Sequence, residues 1–370
     1  MLDMLFRSYL EQYQPYKSYW NYEDGCVLTA CQRLYEASGE AYYADFVLQY
    51  LSQRVKEDGS IPSYLTEQFC LDSYNCSKAL FFALRLTQDP RYARALDWQM
   101  EQYRLHPRTE NGFCWHKGMY PHQIWLDGLY MLLPFLAEYA AWKPLPDLYA
   151  EISESFAFVH QHLRIPHTGL YRHGWDATRT QHWAEPQSGL SASHWLRGEG
   201  WLLMALTDTM ALLPPSEHSL LETLSSMLQE AVNALLQYRT KNGLFYQVID
   251  QDGVEGNYTE TSGNAMIAYA MLKGGVLGIL PQSTMLLGKQ ILDSLCSQKL
   301  MRQGERLVLT DICACAGLGG AANRDGSCAY YLSEPRVQND PKGIAALIMS
   351  YAALLQANPI ASGCPASNMG

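Results

Sequence analysis

The chain has no excess of positive charge, no long apolar run and no regular cysteine framework. With 27 lysines and arginines against 37 aspartates and glutamates it carries a net charge of −10, which excludes a general nucleic-acid or anionic-membrane surface, since both need basic stripes. An anionic ligand would have to be held by a few local cations. The longest apolar stretches, such as "MLLPFLA", fall well short of the roughly 20 residues that span a bilayer. The start, "MLDMLFRSYL", carries Asp3 and Arg7 where a signal peptide would be apolar. Ten cysteines without framework spacing read as reduced thiols, so a cytoplasmic protein is expected. Cys313 and Cys315 in "DICACAGLGG" lack the second pair a zinc site needs, and small buried thiols fit better. No proline- or serine-rich linker divides the chain, so a single domain over 1–357 is expected, with a frayed tail at 358–370.

What the chain does have is helical periodicity and enough apolar residues, 48%, for a large core. The spacing predicts helices near 24–37, 41–56, 72–87, 90–104, 122–142, 147–164, 192–213, 217–239, 260–279, 284–299 and 340–356. Two kinds occur. "ISESFAFVHQHLR" and "LLETLSSMLQEAVNALLQYR" have a polar face and suit an outer layer. "IWLDGLYMLLPFLAEYA", "HWLRGEGWLLMALTDTM" and "TSGNAMIAYAMLKGGVLGIL" are apolar nearly all round and should be buried on several sides. The connections repeat a glycine turn running into apolar or aromatic residues: "DGSIP", "NGFCWH", "TGLYRHGW", "NGLFYQ" and "DGSCAYY", with Gly59, Gly112, Gly169, Gly243 and Gly326 spaced 53, 57, 74 and 83 residues apart. Such repetition implies an array of helical hairpins. The expected fold is all-α, two concentric rings of helices closed into a toroid, with an open solenoid as the other arrangement. Polar capping repeats, which an open stack requires, are not evident.

In a toroid, loops at one end and the first turns of inner helices line a central cavity, and charged and aromatic residues gather in those places. Asp72 begins one helix. His116, Lys117, Trp125 and Asp127 fall together, as do His173 with Asp176, and Trp195 with Arg197 and Trp201. Several have plain structural readings. Asp72 suits a helix cap, Asp176 suits a turn, and His173 suits a satisfied turn histidine. Asp127 resists such a reading, because a carboxylate among Trp125, Leu126, Leu129 and Tyr130 costs several kcal/mol unless it is paired or protonated. It is expected either to pair with Lys117 or Arg197 or to stand at a cavity wall with a raised pKa, as a general acid does.

The blocks "WLDGLYM" with "PFLAEYA", "HGWD", "SHWLRGEGWLLMAL", "TSGNAMIAYAMLKG", "AGLGG" and "DGSCAYYLSEPRVQNDPKG" occur in order over most of the chain. Together they resemble the unsaturated rhamnogalacturonyl hydrolases, glycoside hydrolase family 105, relatives of the family 88 unsaturated glucuronyl hydrolases. The resemblance implies an (α/α)6 barrel and release of a 4,5-unsaturated uronic acid from lyase-derived oligosaccharides such as unsaturated galacturonyl-rhamnose, in pectin breakdown. It places the general acid/base on Asp127 and a second carboxylate on Asp72. Substrate contacts fall on Tyr22, His116, Lys117, Trp125, His173, Trp195, Arg197 and Trp201. The implied chemistry is protonation of an enol ether at C4 followed by hydration at C5, with Asp72 raising the pKa of Asp127, Arg197 gripping the uronate and the tryptophans stacking on sugar faces. It requires no metal or organic cofactor. The partner expected is a small oligosaccharide, bound by a monomer or weak oligomer.

"RGEGW" departs from the family pattern by placing Glu199 where an uncharged residue is usual; it either adds negative charge to the cavity or points away. Two other functions fit a toroid. One is an inverting glycosidase or sugar epimerase using Asp127 with Asp176 or Glu260. The other is a non-catalytic carbohydrate-binding toroid.

Overall fold

A computed structural model describes residues 1–357, so the tail at 358–370 lies outside the described residues. In chain order the helices are α1 (Leu2–Glu11), α2 (Tyr22–Ser38), α3 (Ala41–Ser52), α4 (Asp72–Thr87), α5 (Pro90–Arg104), α6 (Leu126–Trp142), α7 (Asp147–His162), α8 (Leu196–Met210), α9 (His218–Leu236), α10 (Thr261–Val276), α11 (Gln282–Gln298), α12 (Cys328–Ser333) and α13 (Pro341–Ala357). Three antiparallel ribbons join them: β1 (Gln123–Trp125) with β2 (Gly174–Asp176), β3 (Leu300–Gln303) with β4 (Arg306–Leu309), and β5 (Ile312–Cys313) with β6 (Arg336–Val337).

Helices α2, α4, α6, α8, α10 and α13 each pack on the next, and α13 returns to α2. The ring is therefore closed, a toroid and not a solenoid. Outside it α3 lies on α2 and α4, α5 on α4, α7 on α6, α9 on α8, α11 on α10 and α1 on α13. Hydrophobic patterning explains the sorting. Every residue of α8 is buried, whereas α9 buries only a stripe that includes Leu220, Leu224, Met227, Leu228, Ala231 and Leu235. Among the described residues no helix is long and apolar enough to cross a membrane.

The helix expected at 122–142 begins later, because Gln123–Trp125 is extended and paired with Gly174–Asp176. The one expected at 192–213 starts at Leu196, since Trp195 is extended and bridges Val248. Helix α1 was not anticipated, although Leu2, Leu5, Phe6 and Leu10 form one apolar stripe. Helix α12 was missed too, being a six-residue element started by the Ser327 side chain accepting from the Tyr330 N–H. The hairpin glycines 59, 112, 169, 243 and 326 have φ of 86°, 88°, 74°, 84° and 68°. At Gly59 a Cβ would also meet the Arg94 Cβ at 2.6 Å, so glycine is required there twice over.

Towards the C-terminal ends of the inner helices lies a buried polar cluster. Lys273 Nζ and Tyr269 Oη each donate to Asp208 Oδ1 at 2.7 Å, and Arg33 lies 3.7 Å from Asp208 Oδ2. Burial opposes the charge on Asp208, but Lys273 and Arg33 outweigh it and hold its pKa near 2. Above this cluster, Pro134 inside α6 has no N–H for the carbonyl four residues back. That carbonyl, Tyr130 O, instead accepts from Lys78 Nζ at 3.1 Å, and burial pushes Lys78 down to about 7.

Lys78→Met should therefore cost about 1–3 kcal/mol in urea unfolding, by orphaning the Tyr130 carbonyl. In a Pro134→Ala background, where the helix regains its own N–H, the cost should shrink. Equal costs in both backgrounds would disprove the link.

Candidate active site

All six inner helices begin at the other end of the barrel, so their positive dipole ends gather there, with α2, α10 and α13 capped by Asn21, Glu260 and Asp340. Tyr22 and Asp72 open α2 and α4, and Asp127 and Arg197 occupy the first turns of α6 and α8. A cleft of about 420 Å³ in this face is lined by Lys17, Tyr22, Glu67, Asp72, Lys117 and Met119, among others.

The ribbon of β1 and β2 sets the position of Asp127. Its register pairs Trp125 with Gly174, and the next backbone contact is Leu126 N–H donating to His173 O at 3.0 Å. The residue after Leu126 is thereby brought beside the His173 ring. Gly174 is needed for this approach, because a Cβ there would meet Leu318 Cδ1 at 2.6 Å and Trp125 Cδ1 at 2.9 Å. His173 Nε2 lies 2.9 Å from Asp127 Oδ2, and His173 Nδ1 lies 2.6 Å from Tyr331 Oη. The imidazole is wholly enclosed while the Asp127 side chain keeps 14% exposure, so the carboxylate is the part of the pair with access to solvent.

This differs from the sequence expectation that Asp127 pairs with Lys117 or Arg197 or has a raised pKa. Burial pushes its pKa up, but His173, through its charge and hydrogen bond, outweighs burial and the net shift is downward. Nor does the expected rise of that pKa by Asp72 prevail, for Asp72 is itself ion-paired. Asp72 Oδ2 takes Lys117 Nζ at 2.5 Å and His116 Nε2 stands 3.8 Å from Oδ1. Burial opposes the charge on Asp72, yet Lys117 holds its pKa down, while that of Lys117 is raised in return. Burial takes His116 to about 4. Asp127 is near enough that its charge acts on Asp72.

Arg197 is not an open fork. It is 1% exposed, its Nη1 donates to Cys313 O at 2.5 Å and Ser262 Oγ at 3.1 Å, and its guanidinium lies 4.8 Å from the Trp195 ring. The three tryptophans are also enclosed, Trp125 at 4% and Trp195 and Trp201 at 1% each. Trp125 stacks with His116 and Tyr120, Trp195 with Tyr331, and Trp201 with Tyr130. Their faces are occupied by protein, which leaves Tyr22 and Tyr120, both partly exposed, as the aromatic rings open to a ligand among these contacts. Tyr120 and Tyr331 were not singled out in the sequence. Tyr331 sat unremarked in "CAYYLSEP", where its neighbour Tyr330 gives the same local signal.

Asp176 and Glu260 are both fully buried and committed to backbone. Asp176 accepts from the N–H groups of Thr178, Thr180 and Gln181. Glu260 caps α10 through Ser262 and Gly263 and also accepts from Cys313 N–H. Neither is free to serve Asp127 as a second carboxylate. Glu199 points away from the opening: its Oε1 accepts from Tyr171 N–H at 2.5 Å, its Oε2 has no partner, and burial raises its pKa to about 8.

The sequence model of Glycosyl Hydrolase Family 88 matches residues 6–357. Protein Atu3128 of Agrobacterium fabrum (strain C58) is 38% identical over 229 residues, covering 60% of this chain and 97% of that protein. The unsaturated rhamnogalacturonyl hydrolase YesR of Bacillus subtilis (strain 168) is 24% identical over 265 residues, or 70% of this chain and 72% of its own. A solved glycoside hydrolase from family 105 of C. acetobutylicum ATCC 824 superposes with a TM-score of 0.91 at 36% identity, covering 95% of this chain and 99% of that one.

Glu199 supplies a pH test. Between pH 4.5 and about 8 the folded chain keeps this proton and the unfolded chain releases it, so its contribution to stability falls as pH rises across that window, by about 1.4 kcal/mol per unit at most. Glu199→Gln should raise the melting temperature at pH 8 and change it little at pH 4.5. An equal effect at both values would mean that Glu199 is ionised in the fold.

Proposed function

This chain belongs to glycosyl hydrolase family 88, alongside relatives of family 105, and we propose that it releases a 4,5-unsaturated uronic acid from the non-reducing end of lyase-derived oligosaccharides, unsaturated galacturonyl-rhamnose being the leading substrate. The observation that carries this reading is Asp127, a carboxylate in the first turn of α6 that keeps some exposure while bonded to a wholly enclosed imidazole.

The substrate is an enol ether through its ring oxygen, conjugated with a carboxylate. Asp127 and His173 act as one unit holding a single transferable proton, written either as carboxylic acid with neutral imidazole or as carboxylate with imidazolium; such a pair titrates together. Delivery of that proton from Asp127 to C4 leaves positive charge shared between C5 and the ring oxygen. Water adds its oxygen to C5 and returns a proton to Asp127. The resulting hemiketal opens at the bond between C5 and the ring oxygen, and the C1 hemiacetal left behind expels the aglycone. One water is consumed and the pair is restored. A low intrinsic pKa of Asp127 is compatible with this, because the proton need not reside on the carboxylate until C4 is in place.

Charge at the opening suits an anionic ring. The N-termini of α2 and α4 border it at Tyr22 and Asp72, Arg197 occupies the first turn of α8, and Lys117 stands beside Asp72. Asp72 keeps Lys117 in place and contributes acceptors for sugar hydroxyls, with His116 behind it. Tyr22 and Tyr120 offer the apolar faces.

Incubation with unsaturated galacturonyl-rhamnose should abolish the ultraviolet absorbance of the conjugated double bond. An unchanged signal across that disaccharide and a panel of unsaturated glucuronyl disaccharides would reject the assignment. Asp127→Asn should lose roughly 10²–10⁴-fold in kcat with an unaltered circular dichroism spectrum; turnover near the parent rate would remove Asp127 from the acid role.

A further inference from the structure

We propose that Tyr331 is a positioning residue for the acid/base pair, its hydroxyl meeting His173 Nδ1 in both protonation states of the pair and so setting how tightly the pair holds its proton. The inference rests on the hydrolase reading above for its kinetic consequence, and on geometry for the rest.

His173 has two ring nitrogens and two partners, Asp127 Oδ2 at Nε2 and Tyr331 Oη at Nδ1. When the pair is spent, Asp127 is a carboxylate and accepts from Nε2–H, which leaves a lone pair on Nδ1. The Tyr331 hydroxyl then donates to it. When the pair is loaded, Nδ1 carries hydrogen in either written form, and the same hydroxyl, turned about its C–O bond, accepts. A hydroxyl is suited to this because it both donates and accepts. Phenylalanine would leave a buried Nδ1–H without an acceptor in the loaded state, the state that protonates C4, and such an orphan is disfavoured.

The hydroxyl is held in place. Tyr331 is fully buried, its ring stacks on Trp195 at 5.7 Å and 18°, its N–H donates to Ser327 O at 3.1 Å, and its carbonyl accepts from Gln247 Nε2 at 3.3 Å. His173 is walled by Trp195 and Trp125, with ring centroids at 4.6 and 5.4 Å. Besides its own members, the titratable groups that act on this trio from the packed elements are Asp72 on α4, His116 before β1, Cys313 on β5, and Tyr330 and Asp325 on or beside α12. The side-chain hydrogen bonds of His173 run to Asp127 and Tyr331.

The test compares the full-length protein with Tyr331→Phe, following the His173 imidazole by nitrogen-15 NMR across pH and kcat/KM against pH on unsaturated galacturonyl-rhamnose. In the variant the His173 titration should move down by about one pH unit, with the alkaline limb of kcat/KM moving equally and KM unchanged. An unmoved titration, or a uniform loss of rate at every pH, would assign Tyr331 a packing role only and overturn the proposal. Should the phenylalanine variant fail to fold, 3-fluorotyrosine at 331 keeps the shape while making the hydroxyl a weaker acceptor and a stronger donor. It should shift the titration in the same direction, and no shift refutes the inference. A shifted titration in a protein that turns over no unsaturated disaccharide upholds the Tyr331 contact and refutes the hydrolase reading instead.

Discussion

The contact between His173 and Asp127 is the constraint on which the rest of the catalytic end depends. A carboxylate in the first turn of an apolar helix is tolerable only with a partner, and the neighbouring cations are committed elsewhere, Lys117 to Asp72 and Arg197 to the Cys313 carbonyl and Ser262. The partner is therefore an imidazole, delivered from the next hairpin by a three-residue ribbon. An enclosed imidazole needs a second partner of its own, which comes from α12. That short helix lies on the segment between β5 and β6, so the β5–β6 pairing and the arginine that holds Cys313 belong to the same chain of dependence.

The two ends of the barrel solve opposite electrostatic problems. At the C-terminal ends, acids and bases are placed together and paired with one another, as Asp208 is with Lys273 and Arg33. At the N-terminal ends the helix dipoles gather, and acids in or beside the first turns, Asp72, Asp127 and Glu260 among them, are set against them. The few cations expected at the opening on grounds of net charge are present, but Lys117 already faces Asp72 and Arg197 already holds the Cys313 carbonyl and Ser262; ligand binding there is an exchange of partners and not a filling of empty charge.

Much of this was legible in the sequence, and the remainder failed for identifiable reasons. Helix type, inner or outer, followed from whether apolar residues formed a stripe or covered the circumference, as α9 and α8 illustrate. Asp127 stood out because burial of a lone carboxylate is costly wherever it occurs. Its partner did not stand out, since His173 has an ordinary local reading in a turn, and the pairing depends on strand register that three residues cannot signal. Periodicity likewise cannot place the start of a helix that is preceded by apolar strand residues, which is why the boundary before Leu126 was set too early. The tryptophans misled in another way: composition does not say which face of a ring is already covered, and Trp195 and Trp201 are covered by Tyr331 and Tyr130.

Closure of the inner ring has a consequence for how such a chain varies. In an open stack each repeat meets only its neighbours, so repeats are gained or lost at the ends with modest cost. Here α13 lies between α10 and α2, and the last inner helix is the wall that the first one packs against. Removing or adding one hairpin changes the circumference, and every interhelical angle with it. The hairpin count is thereby fixed by geometry, and variation is channelled into loops at the open end, where length can change without altering the ring.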